Sequence, residues 1–199
     1  MAIRSLFIVC FLCSLSLVLI LGLQNRHLAQ SLAVAEDRIN FPYESMYVPS
    51  AVGLDVNGGS VSIGRPHNTA QVLFFLNTTC PHCLASLPAV KRIANSLAKR
   101  PSSDFYIVSE DTLEQTKRYA ADHLLSSNIV VLTDAREISL FHARSVPTVM
   151  VIDRNGKVAM SRVGSLNDRE DVDSVLAAVH VLEAPAVADQ GERNESFHP

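Results

Sequence analysis

No cluster of lysine and arginine occurs anywhere in the 199 residues, and the formal net charge is only −3. A protein that neutralises a phosphate backbone needs a basic stripe, so no nucleic-acid partner is expected. Acidity does not dominate either, and the chain holds no internal repeat. Cysteine is scarce. Of the four present, only Cys80 and Cys83 lie outside the first apolar stretch. Structural zinc usually takes four ligands, commonly in two paired sets, whereas here His67, His123 and His142 stand singly.

Charge is missing altogether from "SLFIVCFLCSLSLVLILGLQN", Ser5 to Asn25. At about 1.5 Å per helical residue this run reaches the roughly 30 Å of a bilayer's hydrocarbon core. A cleaved secretory signal is the alternative, since Arg4 supplies a charged start and "AVA", Ala33 to Ala35, resembles a peptidase site. That site lies well downstream of where a signal is cut, and an uncleaved anchor is the expectation. Arg4 and Arg26 flank the run and leave its orientation unsigned. Cys10 and Cys13 within it are read as small hydrophobes.

With 48% hydrophobic and 19% charged residues, the remainder suffices for one globular domain. The expected boundaries are an anchor over 1–25, a juxtamembrane helix and linker over 26–52 interrupted by Pro42 and Pro49, a compact domain over 53–182, and a disordered tail over 183–199. "GLDVNGGSVSIG" carries β-branched residues on either side of Asn57-Gly58-Gly59, a hairpin signature. "QVLFFL", Gln71 to Leu76, reads as a strand buried on both faces. From Cys80 the period becomes helical, with Leu84, Leu87, Val90, Ile93, Ala94 and Leu97 on one stripe and Pro88 expected to bend it. "DFYIVS" is the next strand, Thr112 to Leu124 the next helix, and "NIVVL" a third strand. A short helical turn over 138–142 precedes two strands joined at Asn155-Gly156, and a final helix runs from Asp168 to Leu182 behind the possible cap Asn167. This order describes an α/β domain: a mixed sheet with helices on both faces.

The chemistry concentrates in "LFFLNTTCPHCLASLPAV", Leu73 to Val90. Cys80 falls where the strand ends and the helix begins, so its sulfur meets unpaired N–H groups and the positive end of the macrodipole. Cys-X-X-Cys thiols at helix starts titrate over about 3.5 to 7.5, against about 8.5 for a free thiol. Cys83, one turn on, shares that face and can close a disulfide or attack a mixed one. Pro81 suits the first turn, and His82 can add charge or a hydrogen bond. A metal site and a purely structural disulfide are the competing readings, and redox exchange is favoured over both. No metal and no cofactor are expected. A non-catalytic adaptor or metal-carrier module is the alternative function.

From Gly53 to about Leu182 the chain resembles the membrane-anchored thioredoxin-like proteins of the TlpA/ResA type. The resemblance lies in "VLFFLNTTCPHCLASLP", including Pro88, and in "SVPTVMVIDRNGKV", with Pro147 opening a strand. Within that group "SIG", "VLFFL" and "VGSLNDRE" are similar to the MauD branch, accessory proteins of methylamine dehydrogenase maturation. The chain departs from the family in lacking the usual tryptophan before the first cysteine, and its His82 resembles that of the oxidase DsbA, so both directions of electron flow stay open. The resemblance implies a thioredoxin-like fold, a cis Pro147 facing Cys80 and Cys83, and a Val146 backbone free to pair with substrate. It implies protein thiols and disulfides as substrates and a membrane redox partner. Such a couple suits an oxidising compartment, which places the domain in a bacterial periplasm, tethered to the inner membrane.

Overall fold

A computed structural model of the protein describes residues 2–125, 128–132 and 134–184. The chain divides between Phe41 and Pro42 into two units. The first is a single helix, α1 (Ala2–Asn40), whose leucines and valines from Leu12 to Val34 are exposed. By length and composition it can cross a membrane.

The second unit is built on a seven-stranded sheet: β1 (Ala51–Asp55), β2 (Ser60–Ile63), β3 (Ala70–Leu76), β4 (Ser103–Ser109), β5 (Asn128–Val131), β6 (Thr148–Asp153) and β7 (Val158–Val163), in the order β2-β1-β5-β4-β3-β6-β7. β3 pairs in parallel with β4 and antiparallel with β6, and β4 pairs in parallel with β5. Parallel neighbours require crossovers. These are α2 (Pro81–Leu97) between β3 and β4, and α3 (Leu113–Asp122) between β4 and β5. The short α4 (Ala135–Leu140) leads to β6, and α5 (Arg169–Glu183) closes the unit. This is the thioredoxin-like architecture that the resemblance implied.

Because successive side chains of a strand point to opposite faces, the central strands feed two cores. Val72, Phe74 and Leu76 of β3 join Leu87, Val90 and Ile93 of α2, Tyr119 of α3, and Val175 and Val179 of α5. Leu73 and Phe75 join Ile138, Phe141, Met46 and Val48 on the other side. Every residue of β3 is buried, which is why its sequence runs apolar without alternation. α2 therefore starts at the C-terminal end of the most buried strand, near the middle of the sheet.

Three boundaries and one helix face differ from the sequence reading. The compact unit starts at Pro42 rather than near Gly53, because Met46 and Val48 are buried and the segment pairs with the final hairpin: Ser45 N–H donates to the Val158 carbonyl (2.7 Å) and Val48 N–H to that of Gly156 (2.8 Å). A paired stretch this short, between Pro42 and Pro49, carries no periodicity to detect. Leu84 is 48% exposed rather than on the buried stripe, which instead runs through Cys83, Leu87, Val90 and Leu97. α5 is capped by Asp168, not Asn167, through a reciprocal box in which Asp168 accepts from the Asp171 N–H and Asp171 reaches back to the cap. It also runs on through Glu183, whose carboxylate accepts from Ser102 Oγ (2.7 Å) and Ser103 Oγ (2.6 Å) and pairs with Arg100 (2.9 Å). The expected tail beyond Ala184 lies outside the described residues.

Candidate active site

β3 ends at Leu76, and the next three residues form a polar loop held partly by itself. Asn77 Oδ1 accepts from the Thr79 N–H (2.9 Å) and Thr79 Oγ1 (2.6 Å), and the Asn77 carbonyl accepts from the Cys80 N–H (3.1 Å). It is also held from outside. Asp111, just beyond β4, accepts the Thr78 N–H at 2.6 Å, and Asn77 Nδ2 donates to both Glu110 (3.1 Å) and Asp111 (3.2 Å).

That loop delivers Cys80 to the N-cap of α2 with extended backbone, φ −79° and ψ 118°. Its sulfur does what a serine or aspartate oxygen does at other helix starts, accepting from the Cys83 N–H at 3.4 Å. Pro81 occupies the first turn, where its missing N–H leaves nothing unsatisfied. Cys80 is half-buried, Cys83 is wholly buried beneath it, and both thiols are free. Burial pushes the Cys83 thiol up to about 12. The Asn77 backbone N–H pulls the other way, while Cys80 and Glu110 reinforce the rise.

Val146 and Pro147, far away in sequence, come to the same place. The Val146–Pro147 bond is cis, and the Cys80 sulfur lies 3.7 Å from the Val146 carbonyl oxygen. His82 faces elsewhere: its ring is exposed, and Nδ1 lies 3.2 Å from Ser165 Oγ in the loop after β7. Beside it Ser86 Oγ donates to the His82 carbonyl (2.8 Å) and accepts from the Leu166 N–H (3.0 Å), tying the start of α2 to that loop.

Of the residues named from sequence, Cys80, Pro81, Cys83, Val146 and Pro147 come together as one half-buried sulfur, one buried behind it and a backbone carbonyl alongside, and His82 turns away toward Ser165. Sequence reasoning missed the supports: Asn77, Glu110 and Asp111 behind the loop, and Ser86 and Ser165 beside it. The available signal was Asn and Asp at two strand ends, residues that bond backbone N–H groups in turns. Among the described residues, no group of three or more His, Cys, Asp or Glu side chains is placed to hold a metal.

The Redoxin family model matches residues 44–178, a span that includes both cysteines and the cis proline. The chain is 28% identical over 123 residues to a methylamine utilization protein MauD of Methylophilus methylotrophus, a match that takes in 61% of this chain and 53% of that one. It thus spans about half the length of that relative. Among solved structures, it is similar to a protein from Chlorobium tepidum described as a thiol:disulfide interchange protein DsbE, with a TM-score of 0.61 at 18% identity over 71% of this chain and 98% of that one. StoA from Bacillus subtilis superposes with a TM-score of 0.56 at 16% identity, over 66% and 96% of the two chains. At such identities the two structures establish the fold alone.

Proposed function

Since the chain belongs to the Redoxin family, we propose that it is a membrane-tethered thiol-disulfide oxidoreductase acting on protein thiols and disulfides outside the cytoplasm. The observation that carries this reading is the inequality of the two sulfurs: Cys80 caps a helix within reach of solvent, and Cys83 sits buried one turn behind it. Only Cys80 can meet a partner.

In the reducing direction the Cys80 thiolate attacks a substrate disulfide. A bond forms from Cys80 to one substrate sulfur, and the other leaves with the electron pair. The Cys83 thiolate then attacks the Cys80 sulfur, so that the Cys80–Cys83 disulfide forms and the second substrate sulfur departs. In the oxidising direction the same steps run backwards. Val146, with its carbonyl beside the reacting sulfur, offers the backbone along which an extended substrate lies, and Pro147 fixes that backbone. Pro81 and His82 tune the couple, Pro81 by completing the first turn and His82 by placing a titratable ring on it.

Residues 1–25 supply the membrane anchor, and a membrane redox partner renews the couple. The proposed role is in maturing a periplasmic protein or a cytochrome, a reading that rests on the sequence resemblance to the MauD branch. The test is covalent capture in membranes from cells making the full chain. Cys83→Ser should accumulate mixed disulfides through Cys80, Cys80→Ser should accumulate none, and a high-salt wash should leave the chain with the membranes. Equal capture by the two variants would overturn the assignment of attacking and resolving thiols.

A further inference from the structure

Among the described residues, the Tyr119 hydroxyl is the buried side-chain polar atom left without a hydrogen-bond partner. The residue is 8% exposed, on α3, in the same core cluster as Cys83. A buried tyrosine ordinarily finds a partner for its O–H, because an unpaired donor keeps the full cost of leaving water. Phenylalanine would fill this space without that cost.

We propose that Tyr119 is the hydrogen-bond donor held in reserve for the Cys83 thiolate. This rests on the exchange mechanism given above, in which Cys83 carries negative charge twice: when it attacks the Cys80 sulfur, and when it leaves that sulfur in the reverse direction. In the dithiol state a neutral S–H is a weak acceptor, and the hydroxyl has nothing to bond. Once the proton leaves, a buried thiolate is a strong acceptor, and a hydrogen bond to a charged atom is worth about twice a neutral one. The electrostatics agree with this placement: burial, then Cys83, then Cys80, push the Tyr119 hydroxyl up to about 12. It therefore stays a donor across the working range of pH.

The other charged and titratable groups around the pair do not fill this role. Glu110, just beyond β4, raises the Cys83 thiol further, as Cys80 does. The His123 ring lies tilted against the Tyr119 ring, with centroids 4.5 Å apart and planes at 60°. Lys91 of α2 is turned to the His123 carbonyl at 2.6 Å, and the His82 ring faces Ser165. The Asn77 backbone N–H is the other group that favours the thiolate. Two donors, one from the loop and one from α3, make the resolving sulfur reactive despite its burial.

Tyr119→Phe isolates the hydroxyl. The full chain in detergent is loaded at Cys80 with glutathione, and the rate at which Cys83 expels it is followed against pH. Below the midpoint of the thiol, the phenylalanine variant should release glutathione about tenfold more slowly at every pH, the size of one hydrogen bond to a charged group, while its thermal midpoint stays the same or rises. Equal rates in the two chains would overturn the Tyr119 assignment and leave the proposed function standing. A wild-type chain that releases no glutathione would overturn both. A rate lost together with a fallen thermal midpoint would mean that the ring is held structurally, which also overturns the assignment.

Discussion

Two polar turns of the compact unit are held by groups of different origin. The β6–β7 turn is shaped by its own residues: Asp153 Oδ1 accepts from the Asn155 N–H (2.8 Å) and the Lys157 N–H (2.9 Å), and Gly156 supplies φ +82°, while from outside the Val48 backbone N–H reaches the Gly156 carbonyl (2.8 Å). A Cβ on Gly156 would also come within 2.9 Å of the Val48 carbonyl oxygen. The loop from Asn77 to Thr79 is held by Asp111 and Glu110, more than thirty positions further along the chain. The first turn shapes a hairpin and touches no chemistry. The second aims Cys80, and it is fixed by groups that arrive only when β4 is in place. A turn that must position a reacting atom borrows rigidity from the sheet.

The contrast breaks first at Asp111. Asp111→Ala leaves the Thr78 N–H without its acceptor and takes away one of the two acceptors of Asn77 Nδ2, at a cost of about 1–3 kcal/mol. Because Cys80 hangs from the same loop, disulfide exchange should fall on the order of tenfold. Thermal unfolding and the rate of exchange with glutathione, measured on one preparation, report the two effects separately. Asp153→Ala removes two bonds to more exposed N–H groups and should cost about 1 kcal/mol, with exchange unchanged. If this variant lost exchange as severely as Asp111→Ala, the two turns would not differ in kind.

Glu183 gives the smallest and finest test, since it too is held across the chain but lies away from the cysteines. Burial tends to raise its carboxyl, but Ser103, Ser102 and Arg100 outweigh that and hold it below the usual carboxylate range. With the folded value depressed, its stabilisation is complete above the unfolded carboxyl's midpoint and is lost as pH falls through the folded one. Glu183→Gln should therefore destabilise the chain at neutral pH, and its deficit relative to wild type should shrink on acidification. A deficit independent of pH would show that charge contributes nothing to this clip.

The same contrast divides what was legible in the sequence from what was not. Locally encoded features could be read directly: the hairpins at Asn57-Gly58-Gly59 and Asn155-Gly156, the buried run of β3, the helical period of α2, and a cysteine pair at a strand-to-helix junction. Position 147 could be tied to that pair only through resemblance, because nothing local joins it to Cys80. The segment around Met46 and Val48 stayed hidden because its strand-like pairing depends on β7. Tyr119 looked like an ordinary member of a polar helix, "TLEQTKRYAADHL", since amphipathic spacing says which residues point inward but not what they will meet. His82 was expected to act on Cys80. Its contact with Ser165 depends on a loop eighty-three positions away.

Those separations bear on the order in which the chain is made. Cys80 emerges 66 residues before Val146, and Ser86 emerges 80 before its partner Leu166. Strand β6, which carries the Val146 end of the site against β3, is the last of the strands flanking β3 to be synthesised. A partly made chain thus presents CPHC as a bare pair of thiols, with no carbonyl beside the first and no α5 packed over the core that buries the second. The neighbouring carbonyl and α5 both arrive with the last third of the sequence. The surroundings of the cysteine pair are thus assembled late, by segments that follow it by sixty residues or more.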